Sequence, residues 1–317
     1  MRVTAARLVD HGQPLHVEEV DLAEPGPQEV TMQVAFAGVN PVDMYAAQGQ
    51  VAADAPVPRT LGTEGAGTVD GRRVMAHGHG IGTARDGLWA SAAVVPRAAL
   101  TDVPDGVGLR EAAAMGVAGV TAWRTVTELA RVQAGDTVLV LGASGGVGSA
   151  IVSAAHSLGA TVIGQTGDEG NAGWIRQRGA DHVVVADAGR LAGAVAGQHP
   201  TVAFDGLGDG FTGAVIEALE PHGRLVLFGT SAGPDGQVPL RSLYRKGITV
   251  LGYAGLLEPD DVMAAALRDA LQALASGQMS VAVDAAMPLA EVNEAFDRIR
   301  QRRVHGKIVL DAAGRGS

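Results

Sequence analysis

The chain contains no cysteine among its 317 residues. That absence excludes disulfide stapling, thiolate nucleophiles, iron–sulfur clusters and every cysteine-ligated zinc site. Aromatic residues make up only 3% of the sequence, and of its 24 basic residues only Lys246 and Lys307 are lysine. The basic residues are outnumbered by 34 acidic ones, which leaves a formal net charge of -10. Phosphate neutralisation needs a basic surface, so no nucleic-acid partner is expected. No apolar run reaches the ~18 residues a membrane span needs. The opening Met1-Arg2-Val3-Thr4 lacks the apolar stretch of a signal peptide. A cytoplasmic protein with no membrane partner is the expectation.

Glycine, by contrast, is abundant: its 45 copies are about twice the usual share of ~7%. An excess of alanine, glycine and arginine follows genome base composition, so the placement of the glycines carries more than their number. The length suits about two domains, each able to bury its own core.

The first ~110 residues read as β structure. Val3 to Val9, Leu15 to Val20 and Val30 to Val39 are short strand-like runs, with a turn at Glu24-Pro25-Gly26-Pro27. Gly62 to Val69, Arg73 to Ala76 and Leu88 to Val95 continue the series. Helical spacing first appears from Leu109 to Val132, where Ala113, Val117 and Val120 recur three or four apart. Val138 to Leu141 is a continuous apolar strand of the kind buried on both faces of a parallel sheet. Strands at Thr161 to Ile163, Val183 to Val185, Val202 to Phe204, Leu225 to Phe228 and Ile248 to Leu251 alternate with helices at Ala172 to Arg178, Leu191 to Ala196 and Phe211 to Leu219. Such alternation predicts an α/β fold with a doubly wound parallel sheet. The tail adds helices at Asp260 to Ser276 and Leu289 to Arg300, with strands near Val281 and at Ile308 to Leu310.

The central motif is Gly142-Ala143-Ser144-Gly145-Gly146-Val147-Gly148. A strand runs into it and a helix leaves it, the context of a dinucleotide-binding turn. Gly145 would let the backbone approach a pyrophosphate, and Gly148 would let the helix pack on the strand. The anion would sit at the helix N-terminus, where free N–H groups and the dipole favour it. The same letters admit a second reading. Gly142-x-Ser144-x-Gly146 fits the nucleophile elbow of serine hydrolases, with Asp205 and His222 in the right chain order for a triad. The elbow normally follows several α/β units, whereas here it opens the series.

With these motifs in order, the chain resembles the zinc-free quinone oxidoreductase branch of the medium-chain dehydrogenase/reductase superfamily. The resemblance runs from Ala37-Gly38-Val39-Asn40-Pro41-Val42-Asp43-Met44-Tyr45 and Gly62-Thr63-Glu64-Gly65-Ala66-Gly67 through Gly119-Val120-Thr121-Ala122-Trp123 and the glycine turn. It ends with Arg224-Leu225-Val226-Leu227-Phe228-Gly229 and His305-Gly306-Lys307-Ile308-Val309-Leu310. It implies a mostly β, GroES-like substrate domain built from both chain ends (1–113 and 256–317) around a Rossmann domain at 114–255. It also implies a homodimer. Zinc members of the superfamily carry a cysteine where Asn40 stands and a histidine where Thr63 stands, and neither replacement is a good zinc ligand. His77-Gly78-His79 is a metal-like pair without an obvious third ligand, so no metal is expected.

Without a Lewis acid, hydride goes best to a quinone or an α,β-unsaturated carbonyl, whose oxygen accepts the arriving charge and needs a hydrogen-bond donor. The resemblance places the Asn40–Tyr45 segment beside the nicotinamide. Asn40 and Tyr45 are then the catalytic candidates, with Tyr45 as the acid, and Asp43 braces the segment through backbone N–H groups. The resemblance favours NADPH. NADPH members carry a serine, a lysine and a tyrosine near positions where Gly167, Asn171 and Ala186 stand here, so NADH stays open. Gln165 and Thr166 end the second Rossmann strand, Asp168 follows, and Arg176 and Arg178 are possible 2′-phosphate contacts. Further cofactor contacts carried over from the family are Thr121, Asp205-Gly206-Leu207, Phe228-Gly229-Thr230 and Lys307. The expected function is a zinc-independent NAD(P)H-dependent reductase of a quinone or enone. The alternatives are a 2-enoyl-thioester reductase, on the Asn40-Pro41-Val42-Asp43 pattern, and a nucleotide-binding sensor or structural protein with little turnover.

Overall fold

A computed structural model describes residues 1–314. The chain divides into two compact units. The first comprises Met1–Val120, Glu258–Ala275 and the chain from Val281 onward, and the second Thr121–Leu257 with Ser276–Ser280.

The first unit opens with β1 (Arg2–Leu8), β2 (His16–Asp21), β3 (Glu29–Val39), β4 (Arg59–Thr60), β5 (Glu64–Val69), β6 (Arg72–His77), β7 (Ala92–Pro96) and β8 (Leu100–Asp102). Period-2 burial of Val30, Met32 and Val34 in β3 is what a half-buried strand requires. The second unit holds β9 (Thr137–Val140), β10 (Thr161–Thr166), β11 (His182–Val185), β12 (Val202–Asp205), β13 (Arg224–Leu227) and β14 (Thr249–Gly252). The chain then returns to the first unit with β15 (Val283–Pro288) and β16 (Lys307–Asp311).

In the first unit β1 pairs with β2 and β4, and a larger sheet runs β15-β16-β3-β5-β6-β8, with β7 also on β3. Its core gathers Leu8, Met32, Leu61, Trp89, Phe296 and Ile308. The Trp89 and Phe296 rings meet edge to face at 5.5 Å. In the second unit six strands pair in parallel in the order β11-β10-β9-β12-β13-β14. The strand order reverses between β9 and β12, so the ligand crevice of such a sheet lies at the carboxyl ends of these strands. Leu139, Leu141, Ile163, Leu191, Val215 and Ile216 fill its core.

Three local expectations fail, each for a physical reason. Pro41–Ala47 is a helix, inside the stretch that the sequence reads as β structure. Asn40 and Asp43 form a capping box around it, with proline in the first turn. The stretch from Leu109 is no single helix. It breaks into Leu109–Ala112, Val120–Arg124 and two wider π-type turns, Met115–Gly119 and Thr125–Leu129. Gly116, inside the first π-type turn, packs closely, since a Cβ there would lie 2.9 Å from the His77 ring. The strand expected from Leu88 starts only at Ala92, because the Leu88 and Trp89 N–H groups donate to Gly62 and Leu61 carbonyls in a loop. Leu240–Lys246 is a further helix without a sequence signal long enough to show its period. Among the described residues no helix is long and apolar enough to cross a membrane.

Candidate active site

The second unit brings the glycine turn and three further predicted segments to one edge of its sheet. Gly142 follows β9 in the left-handed region at φ +60°, where a side chain would be strained. A Cβ on Gly148 would lie 2.3 Å from the Gly142 carbonyl oxygen, so this approach of helix to turn admits only glycine. The Gly146–Ser157 helix begins on Gly145 and has no side-chain cap, so its first N–H groups keep no side-chain acceptor. An uncapped helix start at the carboxyl edge of a parallel sheet suits a pyrophosphate. Ala143 is buried, while Ser144, Gly145, Gly146 and Val147 are partly exposed on this turn.

Gln165 and Thr166 end β10 beside the turn, and both are buried. Gln165 Oε1 accepts the Gly142 N–H at 3.0 Å, and its Nε2 donates to the Ala186 carbonyl at 2.7 Å. Gln165 therefore ties the glycine turn, β10 and the end of β11 together. Asn171 Nδ2 donates to Thr166 Oγ1 at 3.1 Å and to Ser144 Oγ at 3.4 Å. This amide links the turn to the segment after β10, a role that the sequence did not suggest.

Asp205 ends β12, fully buried. Its Oδ1 accepts the Leu207 and Gly208 N–H groups at 2.8 and 3.0 Å, and its Oδ2 accepts the Thr212 hydroxyl at 2.7 Å. Burial raises its carboxyl above the ordinary value, and those hydrogen bonds oppose the rise. Gly206 lies against the Phe228 ring, where a Cβ would come within 2.7 Å. The Leu207 and Phe228–Thr230 segments run side by side, since the Phe228 N–H donates to the Asp205 carbonyl and Ala232 to that of Leu207. Thr121, half-buried, accepts the Thr125 hydroxyl at its carbonyl.

The serine-hydrolase reading does not survive this geometry. Both Asp205 oxygens serve its own turn and Thr212. Among the described residues no hydrogen bond joins Ser144, His222 and Asp205, and the Ser144 hydroxyl pairs instead with Asn171. Arg176 and Arg178 are also displaced from their expected use. They line a cavity with Ser153, His156 and Asp181, the last lying just before β11. That is the amino edge of the sheet, opposite the glycine turn, and Arg178 stacks on Trp174 there at 5.0 Å.

In the first unit a buried polar cluster surrounds Asn40. The Lys307 ammonium donates to the Val39 carbonyl at 2.9 Å, to Glu64 Oε1 at 2.8 Å and to Asn40 Oδ1. Asn40 Nδ2 donates to Glu64 Oε1 at 2.7 Å, and the Val117 N–H donates to Glu64 Oε2 at 2.9 Å. Asp43 Oδ2 accepts the Asn40 N–H at 2.8 Å and Oδ1 that of Thr63 at 3.0 Å. Burial pushes the Glu64 carboxyl upward, but the Lys307 charge and the Lys307 and Asn40 hydrogen bonds outweigh it and hold it low. Burial raises Asp43 to about 7, against the pull of Lys307 and the Asn40 N–H. Lys307 thus spends its three protons inside this unit. Tyr45, on the Pro41–Ala47 helix, is 39% exposed.

Glu64 is the residue the sequence undersold. Its signal is a lone carboxylate in the glycine-rich run Gly62 to Gly67, since a buried carboxylate demands a buried cation. Gly38 is bound to the same feature: a Cβ there would lie 2.1 Å from Glu64 Oε1. His77 and His79 take separate partners. His77 Nδ1 lies 2.9 Å from the Thr63 carbonyl, and His79 Nδ1 lies 3.2 Å from Asp260. Among the described residues no group of three histidine or acidic side chains converges as a metal site.

Comparison with known proteins gives the same frame. Residues 26–105 match the alcohol dehydrogenase GroES-like domain, and residues 146–273 match the zinc-binding dehydrogenase family. Quinone oxidoreductase-like protein 2 of Mus musculus is 33% identical, over 96% of this chain and 91% of its own. The mitochondrial enoyl-[acyl-carrier-protein] reductase of Xenopus tropicalis is 29% identical over 77% of this chain and 74% of its own. Among solved structures, mycobacterial Rv1454c complexed with NADPH superposes with a TM-score of 0.85 at 27% identity, covering 97% of this chain and 99% of that one. The chain is an oxidoreductase and belongs to the quinone oxidoreductase branch of the medium-chain dehydrogenase/reductase superfamily.

Proposed function

We propose that this protein reduces a quinone or an α,β-unsaturated carbonyl with a nicotinamide dinucleotide and without zinc. The second unit holds the nucleotide and the first supplies the substrate side. The observation that carries the reading is the Gly142–Gly148 turn: its uncapped helix start and the contact that only Gly148 permits form a pyrophosphate cradle. Gly142 to Gly148, Thr166, Gly206, Leu207, Phe228, Gly229 and Thr230 are the cofactor contacts of this reading, and Gln165 and Asp205 hold the loops that carry them. When bound, the dinucleotide supplies a hydride equivalent.

The chain's own contribution is positioning and proton control. Asn40 is held at both ends of its amide by Glu64 and Lys307, so it anchors the Pro41–Ala47 helix and leaves the exposed Tyr45 as the proton source. The Tyr45 Oη donates its proton to the substrate oxygen that gains charge. Asn40 and Thr63 stand where zinc relatives place cysteine and histidine, which supports the zinc-free reading. An acceptor already conjugated to oxygen meets that limit.

The likeness to an enoyl reductase supports a second reading, a 2-enoyl thioester as acceptor. The two differ only in the acceptor. Following loss of reduced nicotinamide with a benzoquinone, a simple enone and a 2-enoyl thioester in parallel separates them. Tight nucleotide binding with no turnover on any acceptor would instead favour a sensor or structural role.

The protein is also proposed to form a homodimer in the cytoplasm. β14 is one of the two edge strands of the parallel sheet. Val250 on β14, Leu240 and Tyr244 on the helix before it and Leu256 and Leu257 in the turn after it are exposed, Leu257 at 85%. An apolar edge of this kind is covered when a second copy pairs its own β14 there.

A further inference from the structure

We infer that the Thr63 hydroxyl is a second hydrogen-bond donor of the site, binding the carbonyl oxygen of the acceptor while Tyr45 supplies the proton. The inference rests on the reductase reading above and adds the group that shares the developing charge with Tyr45. An oxygen that gains charge as hydride arrives is held best by more than one fixed donor. Asn40 is committed elsewhere: its Oδ1 accepts from Lys307, and its Nδ2 donates to Glu64 at 2.7 Å.

Thr63 is 3% exposed, and its Oγ1 has no hydrogen-bond partner. Among the described residues no other hydroxyl is buried and unpartnered in this way. A buried hydroxyl carries the cost of its lost hydration until a polar group reaches it. Its main chain, by contrast, is pinned. The Thr63 N–H donates to Asp43 Oδ1 at 3.0 Å, and its carbonyl lies 2.9 Å from His77 Nδ1. Gly82 closes on the same stretch, since a Cβ there would lie 2.8 Å from the Thr63 nitrogen. A β-branched side chain on a fixed backbone has few rotamers, so the hydroxyl is preorganised without being used inside the fold.

The same contacts set Thr63 next to the helix of the proposed proton donor. One carboxylate, Asp43, accepts the Thr63 N–H on Oδ1 and the Asn40 N–H on Oδ2, so the two backbone segments lie side by side. Asn40 caps the Pro41–Ala47 helix, which carries Tyr45. The next residue, Glu64, takes the Asn40 amide and the Lys307 ammonium, and that ion pair balances its own charge. Thr63 therefore adds a neutral donor to this end of the unit. An aliphatic hydroxyl is a far weaker acid than a phenol, so Thr63 keeps its proton throughout and Tyr45 transfers one. No bond of Thr63 is made or broken beyond the hydrogen bond itself.

Thr63→Val removes the hydroxyl at nearly constant shape, and Thr63→Ser keeps it. Single-turnover stopped flow with cyclohex-2-enone, run with NADPH and with NADH, compares both variants with the wild type, alongside nucleotide Kd and thermal unfolding. Thr63→Val should lower kcat at least tenfold, as expected for loss of a donor to developing charge. Its nucleotide Kd should stay within about twofold, and its Tm at or above that of the wild type, since no hydrogen bond of the fold is lost. Thr63→Ser should keep most of the rate. A Thr63→Val rate within about twofold of wild type overturns the inference and leaves the hydroxyl to water. A fall in nucleotide affinity that matches the fall in rate overturns it by placing the contact on the nucleotide. A Thr63→Ser protein as slow as Thr63→Val overturns it by making the side chain a packing group, and early unfolding of Thr63→Val does so by giving the hydroxyl a structural partner. A wild type that binds nucleotide without turnover overturns the reductase reading instead, whatever the variants do.

Discussion

Asp43 and Tyr45 share one short helix but meet opposite environments. Asp43 is fully buried, and desolvation raises its carboxyl to about 7. A carboxyl with that native pKa keeps its proton between about pH 4 and 7, where the unfolded chain has released it. Its contribution to stability is therefore present at low pH and lost as pH rises toward 7. Urea unfolding of the wild type and of Asp43→Ser at pH 5 and pH 8 should show the wild type losing about 2–3 kcal/mol relative to the variant. Parallel pH dependence in the two proteins would remove Asp43 from that role. Tyr45 is exposed, and in the proposed reaction it is the proton donor. Removing a positioned proton donor costs about 10²–10⁴-fold in rate, so Tyr45→Phe should lower kcat at least tenfold with little change in nucleotide affinity. A stopped-flow comparison at saturating nucleotide checks this, and an unchanged rate places the proton on water. The residue types at Asn40, Asp43 and Tyr45 were legible in the sequence. The Glu64–Lys307 pair was not, because 243 positions separate its partners and only the fold joins them.

Among the elements, the second unit's sheet was the most legible. Alternating apolar runs and amphipathic stretches specify parallel strands, and the observed order is that of a doubly wound sheet. The elements that escaped, Pro41–Ala47 and Leu240–Lys246, are each 7 residues long. Two turns are too few to show a helical period. The Asn40-Pro41-x-Asp43 capping pattern was the one local signal for the first of them. The glycine turn makes a sharper prediction. Gly148→Ala would put a Cβ 2.3 Å from a backbone oxygen that cannot rotate away. Helix and strand must then separate, costing about 1–3 kcal/mol. Thermal unfolding should show the loss, and nucleotide affinity should fall at least tenfold. Gly173→Ala, on an open helix face with nothing within 4 Å, is the control: it should leave nucleotide affinity unchanged and raise stability by about 0.5–1 kcal/mol.

The whole molecule returns to the missing cysteine. With Asn40 in the cysteine position and Lys307 and Glu64 neutralising one another beside it, the first unit offers a closed polar cluster. On the proposed zinc-free reading, polarisation of the substrate falls to hydrogen bonds, which favours conjugated carbonyls as acceptors. At the same scale, a lysine in the middle of the exposed β14 edge should block pairing between copies. Val250→Lys should convert a dimer to a monomer in sedimentation velocity while leaving nucleotide affinity unchanged. A monomeric wild type would refute the proposed edge pairing. The proposed transfer of hydride from the nicotinamide to a conjugated carbonyl is traced with cofactor deuterated at the transferred position. After turnover with a simple enone in the presence of a metal chelator, deuterium is expected at the β-carbon of the saturated product. Product without label there, or no product once the chelator is added, would contradict it.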